Sequence, residues 1–348
     1  MIPYRVQRIL NRLGITLLVL LVLAAVALVC WFLWLQRYVN YTRDGAKLDF
    51  NLSAQVPAGE TGKPAPTGPS IPINMSGGPD ATEPEDVALA QFSGYYVTLQ
   101  QLKDDLAGVT DQIKALPKGA TVMLEMKSLR GEFAYTSLLG PSVAGLEPGL
   151  VDELIQTLNQ RGCYLIAKVP AMVDYEYFMA DPVNWSRNVH GLAKKGGNGA
   201  LWADPANQNS FWLDPATDGA KAFLFQIVLE LQQAGFDEVV FSHYTYPNSN
   251  QVTIPEDTIK VLTETADMLI KMGTTKNFAV SFIRDTVDMH LPDSRSRLYL
   301  QNAAASDAAS LAAITGFADP KVRLVFLTDL ADTRYDAYSV LRPIEMAR

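Results

Sequence analysis

The sequence predicts an α/β fold, favoured as a (β/α)8 barrel, preceded by one transmembrane helix and a disordered linker. Three observations predict it: an uncharged apolar run near the N-terminus, a proline- and glycine-rich stretch, and a long alternation of short apolar runs with helical patterns. The predicted domains are a cytoplasmic N-terminus (1–14), a transmembrane helix (15–35), a juxtamembrane segment and linker (36–90), and the barrel (91–348).

The apolar run at residues 15–35 contains no charged residue. At 1.5 Å per residue, about 20 apolar residues cross a hydrocarbon core of roughly 30 Å, and a helix satisfies its own backbone. Trp31 and Trp34 lie where an interfacial aromatic belt is expected. A cleaved signal peptide is the alternative, since Ala25-Val26-Ala27 has the form of a cleavage site. The apolar run continues well past that site, which favours a retained anchor.

The charges around the run predict its orientation. Three arginines and no acid precede it, whereas basic and acidic residues are mixed after it. This bias is small, but the short N-terminal flank and the large C-terminal region favour the same direction. We expect a single-pass protein of the cell membrane with its C-terminal domain extracytoplasmic.

Composition limits the possible partners. The net charge is −8 and the isoelectric point is about 5.0. No nucleic-acid partner is expected, because that binding needs a basic surface. The two cysteines cannot pair, since Cys30 lies in the apolar run and Cys163 in a predicted buried strand. The three histidines have no metal-ligand spacing and no phosphate-binding loop is present, so neither a metal nor a cofactor is expected.

The segment from Asn51 to Val87 is rich in proline, glycine, serine and threonine. Few large apolar residues interrupt it, so it cannot bury enough surface to offset its ordering entropy. It is predicted to be an extended spacer between the membrane and the domain.

Seven short apolar runs after Val87 predict strands covered on both faces. They are Tyr95–Leu99, Thr121–Lys127, Cys163–Val169, Glu238–Tyr244, Phe278–Ile283, Leu298–Gln301 and Val322–Thr328. Helical patterns lie between them; one stripe at three-four spacing runs from Ala220 to Leu231. Repeated strand–helix units over ~250 residues indicate a TIM barrel or a doubly wound sheet. The barrel is favoured, with an incomplete or irregular closure as the open question, because no eighth strand is evident.

In a barrel, function collects at the C-terminal ends of the strands. This rule selects Glu125 and Lys127 after the second strand, Lys168 and Asp174 after the third, and a group at the end of the fourth. That group is Ser242, His243, Tyr244 and Tyr246. Glu125 and Lys127 are two residues apart, so they are predicted to share a face, whereas Ser242 and His243 are predicted to face opposite ways.

The longest connection, residues 171–216, is rich in aromatic and acidic residues. Its candidates are Trp202, Asp204, Trp212 and Asp214. Aromatic faces beside carboxylates suit sugar rings, which predicts a substrate-binding role. The alternative is that these aromatic residues only pack the barrel end.

Five short motifs together resemble the bacterial putative glycosyl hydrolase domain. They are Gly94–Thr98, Leu124–Lys127, Ile166–Lys168 with Asp174, Trp212–Pro215 and Gly235–Phe241. The resemblance covers about residues 92–283 and implies a TIM barrel related to alpha-amylase-like enzymes.

The sequence departs from this family where the resemblance would place catalysis. The family's fourth strand typically reads Phe-Asp-Tyr-Ile-Arg-Phe-Pro, and Ser242 stands at the position of its Asp. Glycoside hydrolysis needs two carboxyl groups, so the inherited mechanism is predicted to be broken there. Rescue would need another acid: Glu125, Asp174 and Asp214 are the catalytic candidates, with Asp204 behind them. Among these acids Glu125 is the favoured catalytic candidate, because Lys127 beside it could hold it ionised. A structural Glu125–Lys127 ion pair is nevertheless preferred over a catalytic role for these two residues.

Two main functions remain open, and a third, a purely structural envelope scaffold, would require that the aromatic residues of the 171–216 connection only pack. The first is a membrane-anchored, extracytoplasmic glycoside-hydrolase-like protein that acts on or binds polysaccharide of the cell envelope or surroundings. The second is a catalytically inactive barrel that serves as a carbohydrate-binding or envelope-interaction module.

Overall fold

The computed structural model describes residues 39–42, 45–48, 89–180 and 190–344. The chain divides into two compact units, Met1–Pro79 and Asp80–Arg348. In the first unit, Val39–Thr42 and Gly45–Leu48 form an antiparallel hairpin, which the prediction of a juxtamembrane segment did not anticipate.

The predicted transmembrane helix, residues 15–35, and the predicted spacer from Asn51 to Val87 lie outside the described residues. Within the residues that are described, no helix is both long enough and apolar enough to cross a bilayer.

Eight parallel strands of the second unit form a closed barrel in the order of the chain. They are β1 Ser93–Val97, β2 Thr121–Glu125, β3 Tyr164–Pro170, β4 Glu238–Ser242, β5 Ala279–Arg284, β6 Leu298–Gln301, β7 Leu324–Leu327 and β8 Ser339–Pro343. β8 pairs with β1, with Val340 opposite Ser93, and this pairing closes the sheet. The predicted closed barrel of eight parallel strands is therefore confirmed over the doubly wound alternative.

β8 is the strand that the sequence did not reveal. It is short, and only its first three residues, Ser339–Leu341, are buried before Arg342 and Pro343. The other seven strands match the predicted runs to within a few residues. No end is more than two residues off; Val322, for example, belongs to a helical turn, Pro320–Arg323, rather than to β7.

Helices cover the outside of the barrel after the first four strands. They are α1 Leu99–Ala115, α2 Pro148–Gln160, α3 Asp218–Ala234 and α4 Thr258–Thr275. The predicted stripe from Ala220 to Leu231 is buried on α3. β5 leads to β6 through residues 285–297, which hold no helix. Short helices α5 Ala308–Ile314 and α6 Pro320–Arg323 precede β7, and a 3-10 turn, Thr333–Ala337, precedes β8.

The strands are covered on both faces, as their continuous apolar runs predict. One buried cluster fills the barrel interior, with Met123, Ile166, Val240, Tyr299 and Leu341 among its members. A larger cluster lies between the outer strand faces and the helices. The interior is thus packed rather than open, and space for a ligand remains only beyond its ends.

The bottom of the barrel, at the N-terminal ends of the strands, is closed by a buried ion pair. Glu238 of β4 and Arg297 just before β6 are 0 % and 2 % exposed. Tyr164 and Tyr299 donate hydrogen bonds of 2.9 Å each to the Glu238 carboxylate. Arg297 also donates to the Ala90 carbonyl at 3.0 Å. Burial acts to lower the pKa of Arg297, but Glu238 and the tyrosines raise it above its ordinary value. These charges are fully partnered, so this end is structural.

The long connection between β3 and α3 forms a small antiparallel sheet. Its strands are Val173–Asp174, Ala203–Asp204 and Ser210–Trp212, with the last in the middle. This connection is therefore a folded subdomain packed on the barrel, which accounts for its unusual length.

Candidate functional site

Three adjoining clefts open at the C-terminal ends of the strands, and together they form what we term the mouth. The first cleft, of about 450 Å³, is lined by residues that include Tyr96, Glu125, Lys168, Gln301, Leu327 and Asp329. The second, of about 410 Å³, includes Lys168, Ser242, His243, Asp285 and Gln301. The third, of about 320 Å³, includes Lys103, Glu125, Lys127, Ser242 and His243. Because the clefts share residues, the mouth is one basin.

Glu125 and Lys168 form an ion pair at the centre of the mouth. They lie opposite each other in the register of β2 and β3. Lys168 Nζ is 3.1 Å from Glu125 Oε1, and the two side chains are 21 % and 25 % exposed. The predicted pairing of Glu125 with Lys127 is therefore wrong. β2 ends at Glu125, so the strand alternation that would place Lys127 on the same face no longer applies.

The second carboxylate oxygen of Glu125 is held by the start of α1. Leu99 N–H donates to Glu125 Oε2 at 2.9 Å. Thr98 caps this helix, and it exchanges hydrogen bonds with Gln101 in a capping box. A helix N-terminus carries unsatisfied N–H groups and partial positive charge, which suits a carboxylate. Glu125 is thus fixed on both oxygens while a quarter of its surface remains open.

Lys127 pairs instead with Asp174, beneath the mouth. Lys127 Nζ is 2.8 Å from Asp174 Oδ2, and the two side chains are 0 % and 1 % exposed. Lys127 also donates to the Pro170 carbonyl at 3.2 Å, and Tyr177 N–H donates to Asp174 Oδ1 at 2.8 Å. This ion pair ties β2 to the small sheet. Asp174, a predicted catalytic acid, is therefore enclosed and committed to a structural contact.

Ser242 and His243 both line the second and third clefts. The expectation that they face opposite ways is wrong, because His243 adopts a left-handed backbone with φ 50°. Histidine tolerates this region better than most residues. The turn brings His243 Nδ1 to 3.4 Å from Ser242 Oγ. Ser242 itself is buried, so a ligand would reach it only from within the mouth.

His243 lies in an environment that disfavours its charged form. Burial lowers the pKa of His243 below its ordinary value, and the positive charges of Lys168 and Lys127 act in the same direction. Glu125 and Asp285 oppose this shift. His243 is therefore a neutral donor and acceptor near pH 7.

The two tryptophans that were predicted to bind sugar rings are packed into the core. Trp202 is 6 % exposed and Trp212 is 4 % exposed. Trp212 Nε1 donates to Asp204 Oδ2 at 2.8 Å, and Trp202 Nε1 donates to Gln251 at 3.2 Å. Asp204 also accepts from the Ala206 N–H at 3.0 Å. The packing alternative is therefore correct for Trp202, Trp212 and Asp204, which lie inside the small subdomain.

Asp214, Tyr244 and Tyr246 are also engaged in structural contacts. Tyr246 OH donates to Asp214 Oδ1 at 3.0 Å, and the Ala216 N–H donates to the same oxygen at 3.0 Å. Tyr244 OH donates to the Leu262 carbonyl on α4 at 2.7 Å. The Tyr244 residue borders the second cleft, but its ring packs against Phe282 with ring centroids 4.4 Å apart. None of these rings is open to a ligand.

Tyr96, Asp285, Gln301 and Asp329 are among the mouth residues that escaped selection from the sequence. Each stands at or just beyond the C-terminal end of a strand, namely β1, β5, β6 and β7. The strand-end rule applied to every strand would have found them. Tyr96 is partly buried; its burial raises the pKa of its hydroxyl, and the negative charge of Asp329 raises it further.

The described part of the chain holds no group of three or more histidine, cysteine or acidic side chains that could bind a metal ion.

Most of the barrel sequence matches a known protein family. The model described as "Putative glycosyl hydrolase domain" matches residues 94–297, more than half of the chain, and the protein belongs to this family. The match covers β1 to the start of β6 and so includes Glu125, Lys168, Ser242 and Asp285. None of the curated proteins matches the chain significantly.

Several solved structures are similar in fold. A hypothetical protein from Ruminiclostridium thermocellum is 17% identical, with a TM-score of 0.43 over 59% of this chain and 96% of that one. The glycoside hydrolase domain of PelA from Pseudomonas aeruginosa is 15% identical, with a TM-score of 0.44 over 74% and 96%. A cycloisomaltooligosaccharide glucanotransferase from Paenibacillus sp. is 12% identical, with a TM-score of 0.47 over 70% of this chain but only 39% of that one. At such identities and TM-scores, similarity does not extend to activity.

Proposed function

We propose that this protein is a membrane-anchored, extracytoplasmic carbohydrate-binding barrel whose mouth takes up polysaccharide of the cell envelope or surroundings. The glycosyl hydrolase family supports carbohydrate as the ligand class. The observation that carries the proposal is the half-open Glu125–Lys168 pair, fixed at the centre of three clefts.

Binding is favoured over turnover by what surrounds Glu125. Hydrolysis needs one carboxyl group to protonate the leaving oxygen and a second to attack or to activate water. Glu125 is held by an ammonium group and a helix N–H, and Asp174 and Asp204 are buried in other contacts. Ser242 stands where the family resemblance predicts the nucleophile. The mouth therefore offers hydrogen-bonding groups but a poor acid pair.

A retained hydrolase is the second candidate, and Asp285 favours it. Asp285 directly follows β5 and shares the second cleft with Ser242. The charges of both Glu125 and Asp285 act on His243. If these two acids approach within roughly 5–10 Å in the bound state, they have the spacing of a glycosidase pair.

The anchor rests on the sequence. The uncharged run at residues 15–35 is long enough to span a bilayer, and the charge bias favours an outward C-terminal domain. Protease treatment of spheroplasts, which expose an intact cytoplasmic membrane, tests this orientation: digestion of the barrel from outside is expected. A barrel protected in spheroplasts and digested only after lysis would contradict the extracytoplasmic proposal.

A glycan array probed with purified full-length protein tests the ligand class, and product analysis of each bound glycan separates binding from cleavage. We expect binding without new reducing ends. Products that disappear in both Glu125→Gln and Asp285→Asn would establish the hydrolase instead. An array without any bound glycan, from protein that is folded by circular dichroism, would overturn both candidates.

A further inference from the structure

The charges that remain unpaired at the mouth point to the kind of glycan that it binds. We propose that the ligand is an oligosaccharide that carries free amino groups and crosses the mouth from the first cleft to the second. This inference rests on the proposed carbohydrate-binding function and names the ligand class within it.

The shape of the mouth suits a chain of sugars rather than a single unit. The first and second clefts measure about 450 and 410 Å³ and share Lys168 and Gln301. Each falls within the range of small-molecule sites, roughly 300–1,000 Å³. A ligand that fills both must pass over Lys168, where the ion pair with Glu125 offers polar groups at the centre.

Most charges around this path cancel in pairs. Lys168 is paired with Glu125, and Arg284 is paired with Asp288, with Nη2 to Oδ2 at 2.5 Å and Nε to Oδ1 at 2.9 Å. In the third cleft, beside the path, Lys103 and Glu132 carry opposite charges. The Lys168–Glu125 and Arg284–Asp288 pairs therefore leave no net charge for a ligand.

Two carboxylates remain, one in each of these two clefts. Asp329 lines the first cleft and Asp285 lines the second, and both are exposed. Neither makes a hydrogen bond or an ion pair with any residue that the structure describes. A ligand ammonium group in either cleft would meet an available counter-charge, whereas a uronate would meet like charge in both clefts.

Tyr96 adds an aromatic surface beside the first of these acids. It lines the same cleft as Asp329, close enough for the Asp329 charge to act on its hydroxyl. An ammonium group near the face of a tyrosine ring gains a cation–π attraction. The first cleft therefore combines a ring and a free carboxylate, both of which favour an amino sugar over a neutral one.

The test compares three oligosaccharides of equal length against full-length protein by titration calorimetry: an oligomer of glucosamine, its N-acetylated counterpart, and an oligogalacturonate. At mildly acidic pH the amines are protonated while the aspartates stay ionised. We expect the amino oligomer to bind roughly ten times more tightly than the acetylated one, and salt to weaken only the former.

Variants assign the effect to the two acids. Asp285→Asn and Asp329→Asn should each weaken binding of the amino oligomer by about two- to fivefold more than they weaken binding of the acetylated oligomer. Asp111→Asn is the matched control, an exposed acid on α1 about 18 Å along the helix from Leu99, and it should change neither. Equal affinity for the amino and acetylated oligomers, or tighter binding of the uronate, would overturn this inference while leaving the proposed function intact. Failure of all three oligomers, together with an empty glycan array, would remove the proposed function itself.

Discussion

The two ends of this barrel use the same device, an acid from one strand paired with a base beside another, under opposite conditions. At the bottom, Glu238 and Arg297 are almost completely buried, and tyrosine hydroxyls and a carbonyl partner their remaining atoms. At the mouth, Glu125 and Lys168 are each more than a fifth exposed and border open clefts. The first pair has no free group to offer a ligand, and the second has.

Exposure therefore distinguishes the structural pair at the bottom from the pair that we propose to contact the ligand. A buried charge that loses its partner keeps its full desolvation penalty, whereas an exposed charge is rescued by water. The bottom pair should then matter to folding and the mouth pair to binding. The following predictions test this division, from the largest expected effect to the smallest.

Glu238→Gln is expected to lower the free energy of unfolding by about 3–5 kcal/mol, because it leaves the Arg297 charge buried without its counter-ion. Urea denaturation of the full-length protein measures this loss. Glu125→Gln is the matched control, and it should cost no more than about 1 kcal/mol because its partner is partly exposed. Similar losses of unfolding free energy for Glu238→Gln and Glu125→Gln would contradict the division between a structural pair at the bottom and a binding pair at the mouth.

Asp174→Asn sharpens the comparison, because its pair lies near the mouth but is as buried as the pair at the bottom. If burial rather than position decides, this variant also loses about 3–5 kcal/mol, since Lys127 would be left unpaired. Glu176→Gln serves as its control: the Arg130–Glu176 pair at 3.8 Å is about one-third exposed. A loss below 1 kcal/mol for Asp174→Asn would show that position matters more.

Trp212→Phe should lower stability by about 1–3 kcal/mol, because the Asp204 carboxylate loses a buried hydrogen-bond donor. Glycan affinity should not change, since the ring is buried away from the clefts. Thermal unfolding and calorimetry on the same preparation measure both quantities. A large loss of affinity without loss of stability would instead support the substrate-binding role that the sequence predicted for Trp212.

Tyr96→Ala should lower the binding free energy by about 1–2 kcal/mol, as for an aromatic contact residue, and it should also lower stability, because the ring packs against the buried cluster inside the barrel. Tyr96→Phe keeps the ring and should retain most of the affinity. If the Phe variant binds as weakly as the Ala variant, the hydroxyl rather than the ring makes the contact.

His243 should give a small pH dependence of stability. Its folded-state pKa is lowered below the ordinary value of 6.5, so the unfolded chain takes up a proton first as pH falls. The stability that is linked to neutral His243 is fully present above about pH 6.5 and declines as the pH drops toward the folded-state pKa. His243→Asn, which tolerates the left-handed backbone, should flatten this decline relative to the wild type. Identical pH profiles for the two proteins would argue against the buried, neutral His243.

Much of the barrel was predictable because continuous apolar runs mark strands that are buried on both faces. Leu298–Gln301 was predicted to the residue, whereas β8 was missed because its few buried residues give way at once to Arg342 and Pro343. The site was harder to predict. Glu125 and Lys168 were both selected, but their pairing depends on the register between β2 and β3, which a single sequence does not reveal. The role of Trp202 and Trp212 was wrongly predicted because composition alone does not distinguish a folded subdomain with buried aromatic residues from a ligand-binding loop with exposed ones.

Hydrogen exchange of the full-length protein, with and without an oligosaccharide selected on the glycan array, tests most directly whether the mouth is the binding site. Backbone amides at residues 96–101, 125–128, 301–304 and 327–330 should exchange more slowly with the ligand, while residues 201–214 should not change. Protection over 201–214 with no change at the mouth would contradict the assignment, and would move the site to the small subdomain beside the barrel.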